Sequence, residues 1–176
     1  MRHSPGSQKG SQKFFCNAPG GNIKEVVMNL KRILCALDLS EHSTIVAGYA
    51  RDFAKLSGAS VIAVYVAPTL TQYTGFHVPP NTIDSFVGEI VSGAESSMAA
   101  FMAGHFQDVE ARGLVVVGYA AEEILAMAEK EQVDLIVMGT HGRKGIDRIL
   151  FGSVAEKVVK SSICPVLTIR PTDEEE

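Results

Sequence analysis

The chain has 176 residues, 46% of them apolar, and a formal net charge of −4, which suits one domain with a full core. No apolar run reaches the eighteen residues that a membrane-spanning helix needs, and the first residues lack the apolar stretch of a secretory signal. Asp173, Glu174, Glu175 and Glu176 account for the whole net charge, so the remainder offers no basic surface of the kind that nucleic acid selects.

Residues 1–27 are polar and rich in Gly, Ser and Gln. They carry neither helical nor strand periodicity, and such a leader is expected to stay disordered. Lys24-Glu25-Val26 is also compatible with a coding string that reads as a ribosome-binding site ahead of Met28. Residues 28–171 are therefore expected to be the domain, with Met28 as the native start and 172–176 as an acidic tail. N-terminal sequencing of native protein that finds a residue before Met28 overturns that start.

Arg32 to Asp38 is a nearly continuous apolar run, as in a parallel strand covered on both faces. Ser40 or Ser43 can cap the following helix, in which Ile45, Tyr49, Phe53 and Leu56, with Val46 and Ala50 beside them, mark the buried face. Gly58 is the expected helix stop. Ser60 to Val66 reads as the second strand, closed by Pro68, and residues 68–82 as a long irregular link of the kind that carries function. A helix follows from about Ile83 to His105, then a strand from Leu114 to Val117 and a helix from Ala121 to Glu131 with Ile124, Leu125 and Ala128 inward. Leu135 to Met138 is too short for a helix and right for a buried strand. A last helix runs through about Lys160, Pro165 ends it, and Val166 to Ile169 is the fifth strand. Three cysteines, Cys16, Cys35 and Cys164, form no CxxC pair, a sparse and odd count that suits a reducing cytoplasm. Cys35 and Cys164 read as buried small hydrophobes.

Alternating short apolar strands and amphipathic helices predict a doubly wound, five-stranded parallel sheet with helices on both faces. Ligands in such sheets bind at the carboxyl ends of the strands, where the winding reverses. With the first strand central, Asp38 and Gly139 are expected to be neighbours there.

The sequence at that point is Gly139-Thr140-His141-Gly142-Arg143-Lys144-Gly145, followed after Phe151 by Gly152-Ser153 at a helix start. Glycines let a ligand approach the backbone, and a helix start offers free N–H groups and a favourable dipole to an anion. Two such cradles on one strand–loop–helix unit suit a polyphosphate. The spacing is GxxGxxG, neither a GxxxxGK[ST] P-loop nor the dinucleotide GxGxxG. A tight connection without a ligand remains the plain alternative for the loop alone.

The full string Gly139-x2-Gly142-x9-Gly152-Ser153 resembles the nucleotide-binding signature of the universal stress protein family, in its ATP-binding branch. The resemblance runs from about Lys31 to Arg170 and includes ILCALDLSEHS, GYAAEEIL and ICPVLTIR. It implies the adenine-nucleotide α-hydrolase type of fold, with Asp38 contacting the nucleoside and the Val66 backbone meeting the adenine edge. Met138 would pack near the adenosine, Gly139 and Gly142 would give N–H groups to the phosphates, and Gly152, Ser153 and Val154 would form the second cradle. Arg143 and Lys144 can neutralise outer phosphates. The plain alternatives are a helix-capping Asp38, a core Val66, an N-capping Ser153 and solvated cations. No histidine has metal-ligand spacing, so Mg²⁺ would be held through the phosphates of ATP and water.

No nucleophile–base pair is visible, and His141 reads as a solvent-facing loop residue, so hydrolysis should be slow at most. The apolar terminal strand Val166 to Ile169 invites pairing, and members of the resembled family commonly form homodimers through it. The expected function is a cytoplasmic, dimeric, ATP-dependent switch or sensor in stress response. A nucleotide-independent interaction module, or a slow ATPase or adenylyl-transfer enzyme with a pocket from the 68–82 link, are the alternatives.

Overall fold

The computed structural model describes residues 13–17, 23–27, 29–69, 80–140 and 152–170. Its first elements are two short strands within the leader. β1 (Lys13–Asn17) and β2 (Ile23–Val27) pair antiparallel as a separate two-stranded sheet, Lys13 opposite Val27 and Asn17 opposite Ile23. Phe14, Phe15, Ile23, Val26 and Val27 favour strands and flank turn-forming Pro, Gly and Asn. The polar composition of the whole leader masks them.

The remaining elements follow the expected order: β3 (Arg32–Leu37), α1 (Ser43–Ser57), β4 (Ser60–Pro68), α2 (Pro80–His105), β5 (Ala111–Gly118), α3 (Ala120–Lys130), β6 (Leu135–Gly139), α4 (Ser153–Ser161) and β7 (Val166–Ile169). The five later strands form one sheet in the order β5-β4-β3-β6-β7, every pair parallel. β3 is therefore central and the winding reverses between β3 and β6, as expected.

Side chains alternate across β3 and divide the core in two. Ile33, Cys35 and Leu37 pack with α1 and α2 on one face. Leu34 and Ala36 pack with α3 and α4 on the other. This double cover explains why β3 and β6 read as unbroken apolar runs. Cys35 is fully buried, and burial pushes its thiol pKa up. Cys164, expected to be buried, is half-buried and lies against the α3–α4 core.

α1 presents a different face from the one its large residues suggest. Val46, Ala47, Ala50 and Ala54 are buried, whereas Ile45, Tyr49 and Leu56 are exposed and Phe53 is half-buried. The small alanines let α1 lie close to the sheet, and the bulky positions fall to its sides. Gly58 ends the helix as expected, with φ +73° and its N–H on the Ala54 carbonyl at 2.8 Å.

β5 begins three residues before its expected start because its pairing with β4 extends down to Ala111. Gly113 fits there for a packing reason: a Cβ would lie 2.7 Å from Met98 Cγ and 2.9 Å from Met102 Cγ on α2. The amino ends of β3 and β6 are locked together by Asp134. Its carboxylate accepts the Lys31 and Arg32 N–H groups at 2.8 and 2.9 Å, while its own N–H donates to the Arg32 carbonyl at 2.9 Å. That clamp fixes the register that places the opposite, carboxyl ends.

Candidate functional site

Leu37 is level with Tyr65 of β4, and Ala36 with Met138 of β6. Asp38 is the first residue past the end of β3, and the same register carried on to it sets it level with Val66 on one side and Thr140 on the other. Neighbouring strands are about 4.8 Å apart, so Asp38, Val66, Met138 and Gly139 gather at one mouth of the sheet. Met138 is buried, and half-buried Val66 packs against the same core cluster.

The Asp38 carboxylate is engaged locally. Oδ1 accepts the Ser40 N–H at 3.0 Å, the Ser40 hydroxyl at 2.6 Å and the Ser43 hydroxyl at 2.8 Å. These charge-assisted bonds hold a turn in which Leu39 adopts φ +57°, a left-handed conformation that costs an L-residue about 1–2 kcal/mol. The serines therefore do not cap α1 as expected. Its N-cap is His42, with no side-chain cap bond, because both hydroxyls turn back to Asp38.

Across the switch point, Thr140 is 5% exposed. Its N–H donates to the Ile169 carbonyl at 2.8 Å, and its carbonyl accepts the Gly152 N–H at 2.7 Å. The connection from β6 to α4 thus leaves and returns at one hydrogen bond, next to Asp38. Gly152 is the N-cap of α4, extended at φ −70° and ψ 156°. It has no side chain to bond the first-turn N–H groups, so among the described residues those of Ser153 and Val154 meet no side-chain cap at the positive end of the helix dipole. Ser153 is exposed and Val154 half-buried. Glu156, one turn in, is bound by Lys160 at 2.5 Å, which holds its carboxyl below the usual range. Gly142 and Arg143, with His141 and Lys144, lie outside the described residues.

Sequence reasoning assigned no role to Thr140, and it gave the serines beneath Asp38 to the cap of α1 and not to the carboxylate. Thr140 stood inside the glycine string, where a polar residue at a strand end was the available signal. Among the described residues no group of three His, Cys, Asp or Glu side chains could hold a metal ion, and no helix is long and apolar enough to cross a membrane. An indentation of about 250 Å³ lies at the opposite, amino ends of β3, β4 and β5. There Arg112 pairs with Glu131 at 2.6 Å, and Arg32 bonds the Gln132 amide oxygen at 3.4 Å.

The model of the universal stress protein family matches residues 29–170. Universal stress protein MJ0531 of Methanocaldococcus jannaschii is 35% identical over 147 residues, covering 82% of this chain and 85% of its own. MJ0577 of the same organism is 30% identical over 80% of this chain and 94% of its own. Its solved structure superposes with a TM-score of 0.72, covering 84% of this chain and all of that one. The universal stress protein of Archaeoglobus fulgidus, solved in complex with dAMP, is 22% identical and superposes with a TM-score of 0.51 over 81% of this chain and 99% of its own. At that identity the likeness is one of fold.

Proposed function

This chain belongs to the universal stress protein family, and from that premise we propose that it is an ATP-binding, homodimeric switch or sensor of the cytoplasm, acting in stress response. The observation that carries the reading is the closure of Gly152 onto Thr140 at 2.7 Å beside the Asp38 turn. It sets the glycine-capped start of α4 beside the mouth of the sheet, at the winding reversal, where α/β sheets take ligands. Nucleotide binding by the Archaeoglobus relative agrees with it.

The residues fit an adenine nucleotide in the following way. Val66 and Met138 offer an apolar wall for the base and sugar, with Val66 lending its backbone to the adenine edge. Asp38 is held by its serines in a fixed orientation, with hydroxyls in the same cluster that can re-pair with ribose. Gly139 opens the first cradle, to which Gly142 and Arg143 would add. Gly152, Ser153 and Val154 form the second, the N–H groups and the Ser153 hydroxyl donating to phosphate oxygens. Mg²⁺, a hard ion that keeps several waters, would be carried by the phosphates. Bound ATP supplies charge and shape to this site. The described side chains supply no nucleophile–base pair, so turnover is at most slow.

The homodimer reading rests on β7. It pairs only with β6 among the described strands. Because Pro165 and Ile169 direct their carbonyls to β6, the alternating residues Val166 and Thr168 direct their N–H and C=O groups to the open edge. Val159 on α4 and Ile163 in the turn before β7 are exposed apolar residues, 45% and 79%. An open apolar edge of this kind invites strand pairing.

The test is mass analysis of nucleotide released on denaturing freshly purified protein, alongside the double variant Gly152→Val, Ser153→Ala. ATP from the wild type and none from the variant is the expected result. Protein that is empty and also silent in ATP calorimetry overturns it and leaves the interaction module.

A further inference from the structure

We infer that nucleotide occupancy and self-pairing of the β7 edge are linked through the backbone of Thr140. The inference rests on both halves of the function proposed above and adds their regulation. Thr140 is buried and held from two sides: its N–H by the Ile169 carbonyl at 2.8 Å, its carbonyl by the Gly152 N–H at 2.7 Å. Ile169 is the last residue of the strand that would pair with a second copy. Gly152 is the cap of the helix that would hold the phosphates. One peptide-length separates the two sites.

The side chains reinforce the route. Ala155 and Val158 of α4 pack in one cluster with Met138 of β6, and Val154 and Val166 lie against that cluster. α4 therefore leans on β6 and touches β7's first residue through shared neighbours. A close-packed seam of this sort transmits a displacement and does not absorb it. A nucleotide seated at the start of α4 fixes Gly152, hence Thr140, hence the end of β7. A second copy paired along Val166 and Thr168 fixes β7, hence Thr140 and the cap of α4. Each event removes freedom that the other would have to remove, which makes them cooperative. Linkage requires the effect to be reciprocal and of equal size; couplings between sites commonly lie between about 5-fold and 150-fold, and a route this short should reach at least about fivefold.

The experiment is sedimentation equilibrium of the full chain with and without ATP and Mg²⁺, paired with calorimetric ATP titration of the wild type and of Thr168→Pro. Proline at residue 168 deletes an N–H that faces the open edge, and edge strands tolerate it there, so the β6–β7 ladder survives. ATP should tighten the dimer about fivefold or more. The wild type, above its dimer constant, should bind ATP more tightly than Thr168→Pro by the same factor. Amide exchange at Thr140 and Gly152 should slow when ATP is added to the Thr168→Pro monomer, and also when the wild type dimerises without ATP. If Thr168→Pro does not fold, diluting the wild type below its dimer constant provides the monomer. ATP binding and dimerisation that both occur but leave each other's constants unchanged overturn the link alone. Calorimetric silence at every protein concentration overturns the nucleotide reading, and a monomer at every concentration overturns the dimer reading. Either result takes the link down with it.

Discussion

Asp134 shows how a single carboxylate far from the site can set its geometry. It binds the two N–H groups that open β3, so Asp134→Ala should cost about 1–2 kcal/mol, the worth of hydrogen bonds to a charged group at a part-exposed position. Urea unfolding checks it; an unchanged midpoint would mean that water replaces the carboxylate at no loss. Cys35 supports a second expectation at this scale. Its thiol is fully buried, with its pKa pushed up, so thiolate is scarce and reagent has no path. Labelling of Cys35 should follow the opening rate of the molecule, read as a rate that climbs with denaturant. Labelling of native protein as fast as a free thiol would contradict the buried assignment. At this scale the sequence was partly legible. Asp38 could be placed at the strand mouth from the end of an apolar run, but its three bonds to Ser40 and Ser43 depend on the left-handed Leu39, which no composition or spacing announces.

The ends of helices are where local rules are most nearly sufficient, and α3 shows the exception. Its last turn closes with the Gln132 N–H on the Glu129 carbonyl at 3.1 Å and the Val133 N–H on the Ala128 carbonyl at 2.9 Å, with Gln132 at φ +51°. That is the double closure in which glycine is favoured at the left-handed residue. Gln132→Gly should raise stability by about 0.5–1 kcal/mol, the relieved backbone strain less the greater flexibility of glycine when unfolded. A melting temperature that falls would show that the 3.4 Å bond from Arg32 to Gln132 carries more than its exposure suggests. Element types and their order were readable because apolar period separates strand from helix so cleanly in β3, β6 and α3. The face of α1 was not. Large residues at a regular spacing look like a buried stripe, and only the closeness of helix to sheet, set by Ala47, Ala50 and Ala54, decides that the small side goes in.

For the whole molecule, the strand order follows from the sequence because two rules restrict it: right-handed crossovers and a central strand that must be apolar on both faces. Both β3 and β6 meet the second, which sets them side by side at the centre and makes the mouth between Asp38 and Gly139 a geometric consequence. The long-range closure through Thr140 was not legible, since it joins backbone groups whose side chains carry no signal of it. At this scale the substitution of Ser153 by alanine together with Gly152 by valine should abolish nucleotide retention while leaving the circular dichroism of the sheet in place. Unfolding of that variant would instead assign the α4 start to stability, and Ser153→Ala alone would then separate the two roles.

Gly113 has a consequence in the chemistry of ageing. The helix α2 meets β5 there through thioethers, with Met98 buried and Met102 half-buried over a residue that lacks a side chain. Peroxide converts a thioether to a sulfoxide, adding a polar oxygen to a group chosen for its fit. Against a backbone already in contact, that oxygen has no room, and α2 must lift from the sheet to admit it. Half-buried Met102 is the first to be reached, so damage by oxidants should begin at this seam as a loosening of α2, reversible by sulfoxide reduction, before the central strands are disturbed.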